Sequence, residues 1–230
     1  MLVVQLALRD LFRDRIGVIC NVAIMAGVLV PLMLLFGVKN GVYQALIGRL
    51  LSNPATLQID TSGNNTFTET ELEEVREWPE TGFATLKTRS LFDYVNIRSV
   101  AARTSREAIL QPSGAGDPTL PDGVQLDLGS VVISAALASQ LELSTGSEAM
   151  LVTQASERPR QLVLPVTVVG VVPADRMAGR SVLADIAILD LVEAFYDSYA
   201  LPEHGITEGR PLSDRVATFE GIRAYARDLD

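Results

Sequence analysis

The sequence predicts an α+β fold in which one N-terminal transmembrane helix is followed by a mixed strand-and-helix domain outside the membrane. Three stretches carry that reading. Residues 16–38 hold no charge over about 23 positions and, as a helix, span roughly 34 Å, enough to cross the hydrocarbon core of a bilayer. Residues 55–97 read as strand, helix and strand in succession. Residues 162–172 alternate and then turn continuously β-branched, which is the pattern of a buried strand.

Within the apolar run Leu, Val, Ile, Met and Ala dominate, relieved only by Cys20, Asn21, Pro31 and glycines, all tolerated in membrane helices. A buried helix of a soluble protein is usually shorter and interrupted by charge. A signal peptide has a shorter apolar region and a small-residue cleavage site, whereas here the chain continues Lys39-Asn40-Gly41-Val42-Tyr43. The run is therefore expected to be an uncleaved anchor. Arg9, Arg13 and Arg15 precede it and Lys39 alone follows closely. The positive-inside rule then places the N-terminus in the cytoplasm and residues 39–230 outside, in the periplasm if the membrane is a bacterial inner membrane. Residues 2–15 form an amphipathic pattern, with Val4, Ala7, Leu8 and Leu11 on one face and Gln5, Arg9 and Arg13 on the other. Such a helix lies in the inner interface with its arginines towards lipid headgroups.

The chain carries a net charge of −9, and its first 38 residues hold three Arg against two Asp, so the outer part is about −10. That balance argues against nucleic acid and anionic lipid as partners of the outer domain. The single cysteine, Cys20, lies in the apolar run, so the outer domain is expected to rely on its core and not on disulfides.

Beyond the span, Val42, Leu46, Ile47, Leu50 and Leu51 keep a helical period, which predicts a helix continuing to Asn53-Pro54. Residues 55–60 read as a strand and 61–65 as a loop. Thr68 and Glu71 have capping-box spacing for a helix through Trp78, closed by Pro79, with Trp78 expected in the core. Strands are predicted at 83–86, 94–97, 131–133, 149–153, 162–172 and 185–189. Residues 111–123, rich in Pro and Gly, are expected to be a long surface loop. Ser134 is placed to cap a short helix through Leu141, a second short helix is expected near 191–199, a loop at 210–214, and a last strand from 219 to 226.

Reactive constellations are sparse. A phosphate-cradling G-x-x-x-x-G-K-[ST] loop needs a Gly-Lys pair, and the two lysines, Lys39 and Lys87, follow Val38 and Leu86. His204, the sole histidine, sits beside Glu203 in a loop flanked by Pro and Gly, without H-E-x-x-H spacing, and is expected to be exposed. No G-x-S-x-G elbow occurs, and the acidic pair Glu73-Glu74 falls on a helix face expected to be solvated. The expectation is a protein that is not an enzyme, with no catalytic, cofactor-binding or metal-ligating residue.

Two stretches resemble a known family. The run from Leu6 to Arg15 (LALRDLFRDR), leading into the span and Gly37-Val38-Lys39-Asn40-Gly41, resembles the start of permease subunits in the MacB/FtsX/LolC-type ABC transporter superfamily. Val131-Val132-Ile133-Ser134, followed by the run from Leu137 to Leu143 (LASQLEL), Gly146, and the run from Val166 to Pro173 (VTVVGVVP), resembles that superfamily's periplasmic core domain. The resemblance implies a cytoplasmic amphipathic helix at 1–15, a transmembrane helix at 16–38 and a two-lobed periplasmic core domain at 39–230. A membrane-proximal α/β lobe would comprise 40–100 and 215–230, and a β-rich lobe inserted into it 101–214. Family members continue with the rest of the first lobe and three more membrane helices, so a chain ending at Asp230 is expected to be a fragment or truncation.

What the resemblance implies functionally is a permease subunit whose helices and outer lobes pass on motion from ATP hydrolysis, so that a substrate is extruded or released by mechanotransmission. Its partners would be a separate ABC ATP-binding subunit, a second permease subunit or homodimer partner, a periplasmic adaptor or substrate-binding protein, and membrane lipid. The residues expected to matter are structural: the helix at 16–38, its extension to Leu51, and the amphipathic helix around Arg9 and Arg13. The alternative from another class is a single-pass membrane-anchored binding or scaffold module without ATP coupling. No residue selects a substrate.

Overall fold

A computed structural model describes residues 13, 15–61, 65–89, 93–154 and 160–227, without the side chains of 49–52. Apart from Arg13 and Arg15, the predicted amphipathic helix at 2–15 lies outside the described residues. The chain divides into two compact units at Ser52/Asn53.

Among the described residues the first unit is one helix, α1 (Arg15–Ser52), 38 residues long with Pro31 inside it. The predicted span and its extension are thus one uninterrupted helix. Its stretch Arg15–Gly48 is long and apolar enough to cross a membrane, a description that a membrane anchor and a signal sequence both meet. Apolar side chains stand exposed all along it, among them Ile16, Met25, Met33, Leu35 and Tyr43. A helix apolar on every side is stable only when something other than water surrounds it. The helix stops where the sequence predicts, because the residue before a proline is driven out of the helical region. Asn53 is extended, and its side chain accepts from the Ala55 N–H to start a short 3₁₀ turn, Pro54–Thr56. That turn uses up half of the predicted 55–60 strand and leaves β1 as Gln58–Asp60.

The second unit contains a three-stranded sheet and a six-stranded closed barrel. The sheet consists of β1, β2 (Thr81–Lys87) and a late strand, β9 (Gly221–Ala226), in the order β1-β9-β2, with both neighbours antiparallel to β9. One face is covered by α2 (Glu69–Glu77), which begins at the predicted capping box: the Thr68 N–H donates to the Glu71 carboxylate at 2.9 Å. Leu72 and Val75 of α2 pack on Ala84, Leu86, Ile222 and Ala224, together with Phe67 and Phe219. Trp78 is not in this core. It is the extended residue that ends α2 before Pro79, and it is 53% exposed.

The barrel is built from β3 (Tyr94–Ser99), β4 (Ser105–Ser113), β5 (Ser130–Ser134), β6 (Glu148–Thr153), β7 (Val163–Val172) and β8 (Ser181–Asp185), closed in the order β3-β4-β8-β5-β7-β6. The pairs β4/β8 and β5/β7 are parallel and the others antiparallel. Closure leaves no open edge. Alternate residues fill the interior: Val95 and Ile97, Ala108 and Leu110, Val131 and Ile133, Ala149 and Leu151, Leu164, Val166 and Val168, Val182 and Ala184. Each fully buried Val, Leu or Ile contributes about 1.5–3 kcal/mol. The same core takes in Leu137 and Leu141 of α3 (Ala135–Leu141) and Ile188, Val192 and Phe195 of α4 (Ile186–Tyr196). Ser134 caps α3 as predicted, its hydroxyl accepting from the Leu137 N–H at 3.3 Å.

Strand β7 does not keep one face inward. Its register against β5 slips between Val131 and Val132, so that Val168 and Gly170 are the successive partners and Val169 is the extra residue. Up to Val168 the even positions face the interior. Beyond the bulge Val169 and Val172 join an outer cluster of Leu120, Val132, Met177 and Leu183. A bulge that exchanges the two faces in this way explains why the run is apolar without alternation. Gly170 sits at the exchange because a Cβ there would lie 3.1 Å from Pro121 and 3.3 Å from Val132.

Other expectations are corrected here. Residues 111–113 belong to β4, a nine-residue strand the sequence reading did not mark, and Asp117, Thr119 and Leu120 beyond it are buried. The predicted strand at 185–189 is instead the start of α4, because Asp185 caps it by accepting from the Ala187 N–H at 2.9 Å. The predicted helix near 191–199 starts earlier and ends at Tyr196.

Candidate functional site at the joint of sheet and barrel

The barrel strands all lie between β2 and β9 in the chain, so the polypeptide passes from sheet to barrel at residues 88–93 and returns through residues 186–220. Among the described residues, three side-chain systems join sheet and barrel.

The first is apolar. Ile186, the opening residue of α4, packs against both the barrel core and the sheet core.

The second is a buried polar network on the sheet face opposite α2. Arg223 of β9, 4% exposed, donates to the Pro112 carbonyl at 2.6 Å and to the Tyr225 hydroxyl, and lies 3.5 Å from the Asp117 carboxylate. Asp117 also accepts from the Ser113 hydroxyl and the Thr119 N–H, both at 2.7 Å. Tyr225 completes the ring, 3.0 Å from the Thr119 hydroxyl and donating to Gln58 of β1 at 3.1 Å. Phe83 packs beside it, its ring tilted against Tyr225 with centroids 6.2 Å apart. A buried arginine is tolerated when its charge finds partners, and here they come from its own strand, from β4 and from the turn after β4, while its Nε is left without a hydrogen-bond acceptor.

The third system is ionic. On α4, otherwise an apolar helix, Asp190 and Glu193, with Asp197 just beyond its end, fall at i, i+3 and i+7 and form one stripe. Arg89, just after β2, pairs with Glu193 and Asp197, and Arg215, just before β9, pairs with Asp190 at 2.6 Å and Glu193 at 3.5 Å. Hydrogen bonding to Asp197 raises the Arg89 guanidinium further above its usual range; burial opposes this and Glu193 reinforces it. Glu193 is 1% exposed and joins the arginines of both connectors. Asp93, at the start of the barrel, is buried with the Thr88 hydroxyl 3.4 Å away. Burial pushes its carboxyl up to about 7, the charge of Lys87 and the Thr88 hydrogen bond opposing, Glu220 and Glu193 adding. Between these groups opens a polar groove of about 410 Å³, lined by Asn65, Thr66, Arg89, Asp197, Thr218, Phe219 and Glu220.

The residues weighed from sequence lie elsewhere. Glu73 and Glu74 are exposed on α2, Lys39 is on α1, and Lys87 ends β2, its carbonyl accepting from the Glu220 N–H at 3.0 Å. His204 closes a 3₁₀ turn, Pro202–His204, and is half-buried, not fully exposed. Sequence reasoning passed over Arg89, Arg215 and Arg223. The available signal was the acidic stripe in an apolar helix, since carboxylates on a buried face require cations from elsewhere in the chain.

The arrangement joins sheet and barrel through one apolar contact, one buried polar network and one set of ion pairs. No protein-family model matches the chain and no characterised protein matches it at a significant level, so the joint's role rests on its own residues.

Proposed function

We propose that this chain is a permease-type subunit of an ABC transporter, of the MacB/FtsX/LolC kind, that passes motion between membrane and periplasm. In this reading α1 is an inner-membrane anchor with its N-terminus in the cytoplasm. The sheet with α2 and the barrel are the two periplasmic lobes. A separate ATP-binding subunit supplies hydrolysis, and a second permease copy completes the membrane part.

The observation that carries the proposal is an unbroken covalent and hydrogen-bonded path. Helix α1 continues for 14 residues past Val38 and ends at a capped turn. Three residues on, β1 pairs along its length with β9. Strand β9 in turn holds Arg223, which donates to the Pro112 carbonyl of β4, and Tyr225, which is hydrogen-bonded to Thr119 in the turn after β4. From α1 to β1 the path is the covalent chain alone, and from β1 through β9 to the barrel it is these hydrogen bonds. The resemblance of residues 6–15 and of the β5–α3 and β7 motifs supports the same reading.

Affinity purification of the chain from its native membrane tests it. The expected result is an ABC-type ATP-binding protein in stoichiometric amount, with ATP turnover in the purified complex that this chain stimulates. Recovery of the chain with outer-compartment proteins alone, and no nucleotide-binding partner, favours the anchored scaffold.

A further inference from the structure

We infer that the open edge of β1 is a self-pairing surface: two copies of the chain join their sheets there, β1 against β1, in the order β2-β9-β1-β1-β9-β2. The inference rests on the sheet alone and holds whether or not the chain couples to an ATPase.

The sheet has two edge strands, β1 and β2, and the chain treats them differently. The edge of β2 is covered, because Arg76 of α2 donates its Nε–H to the Ala84 carbonyl at 3.1 Å. The edge of β1 is bare. The Ala226 N–H donates to the Leu57 carbonyl and the Thr61 N–H to the Ile222 carbonyl. Backbone groups alternate in direction along a strand, so Leu57, Ile59 and Thr61 aim theirs at β9 while Gln58 and Asp60 aim theirs outward. Among the described residues nothing meets those outward groups. Ile59 lies opposite Ala224, on the face that α2 covers further along, and is 62% exposed. A bare strand edge beside an exposed apolar side chain is a template for another strand.

The side chains of β1 name the occupant. In antiparallel pairing about a two-fold axis through Ile59, Gln58 of one copy faces Asp60 of the other, and these are the residues whose N–H and C=O groups point outward. Ile59 then meets its own counterpart as a non-hydrogen-bonded pair, the closer kind at about 4.5 Å between Cα atoms, which takes both side chains out of water. No charge faces its like. Asp60 meets the Gln58 amide, the group that already donates to it at 3.0 Å within one copy. Centring the pair on Asp60 would set two carboxylates face to face, which disfavours that register. The contact is short, three residues per copy, and anchoring of both copies in one membrane through α1 would raise their effective concentration.

Disulfide cross-linking of the full chain in membranes tests the pairing. In a Cys20→Ser background, Ile59→Cys should couple to a second copy about a hundredfold faster than Ser139→Cys on the exposed surface of α3, because pairing brings the two Cα atoms within disulfide reach. Asp60→Cys should be at least about tenfold slower than Ile59→Cys, since its own counterpart lies diagonally across the pair, about 7–8 Å away. In hydrogen exchange the amides of Gln58 and Asp60 should be protected, and Ile59→Lys, at an exposed position, should release them while the amides of β9 stay slow. Ile59→Cys that couples no faster than Ser139→Cys, or that couples to a different protein in place of its own copy, overturns the inference. So do fast amides at Gln58 and Asp60 in the unmutated chain.

Discussion

Arg223 shows how a single buried cation ties two parts of a chain together. Its guanidinium reaches a carbonyl of β4, a carboxylate in the following turn and a phenol on its own strand. Removing one member of a buried ion pair leaves the other charge unpaired and costs about 3–5 kcal/mol. Arg223→Met is therefore expected to lower the stability of the full chain by that amount in chemical denaturation. Asp117→Asn added to it should return part of the loss, because the remaining amide no longer needs a counter-charge; simple additivity of the two losses would show that they do not act as a pair. Val168 and Val169 make a sharper contrast. They are neighbours in sequence, but the bulge sends Val168 into the barrel interior and Val169 to the half-covered outer cluster. Val168→Asp should cost about 3 kcal/mol or more and Val169→Asp about 1 kcal/mol, and equal losses would place the bulge elsewhere.

At the scale of elements, what could be read ahead of the structure depended on whether the signal was local. Helices α2 and α3 were legible because Thr68, Glu71 and Ser134 announce their caps within four residues. The end of α1 was legible because Pro54 acts on its immediate neighbour. Strand β4 was not: Ser105-Arg106-Glu107 opens it with polar residues and Pro112 stands near its end, so only its pairing with β3 and β8 identifies it. The same holds for the joint, whose partners Arg89 and Glu193 lie 104 residues apart. Helix α1 carries the main prediction at this scale. If it transmits motion, its stretch beyond Val38 must remain stiff. Leu46→Gly with Ile47→Gly costs about 1 kcal/mol of helix at each position, whereas the matching pair of alanines keeps the helix and removes the same side chains. In the transporter proposed above, the glycine pair should reduce transport while ATP turnover persists, and the alanine pair should do so far less. Equal behaviour of the two pairs would make the extension a spacer.

For the molecule as a whole, the orientation of the apolar helix in a membrane decides which compartment the sheet and barrel occupy. The arginines before the apolar run outweigh Lys39 after it, which favours an internal N-terminus. The chain supplies a clean way to test this, because Cys20 is its one thiol. In a Cys20→Ser background, Ser139→Cys places a thiol on the exposed surface of α3, away from the barrel core. A membrane-impermeant maleimide applied to intact cells should label it at once, with no dependence on permeabilisation. A cysteine introduced instead at Gln5, among the residues before the span, should label only after the membrane is opened. The reverse pattern would invert the topology. Recovery of the labelled Ser139→Cys protein as a shortened soluble chain, with no label on the Gln5→Cys protein even after the membrane is opened, would instead make the apolar helix a cleaved signal sequence. Replacing Arg9, Arg13 and Arg15 by Gln while adding Asn40→Lys and Gln44→Lys should shift a measurable share of molecules to the opposite labelling pattern, since the orientation then rests on the charge difference and on nothing in the outer fold.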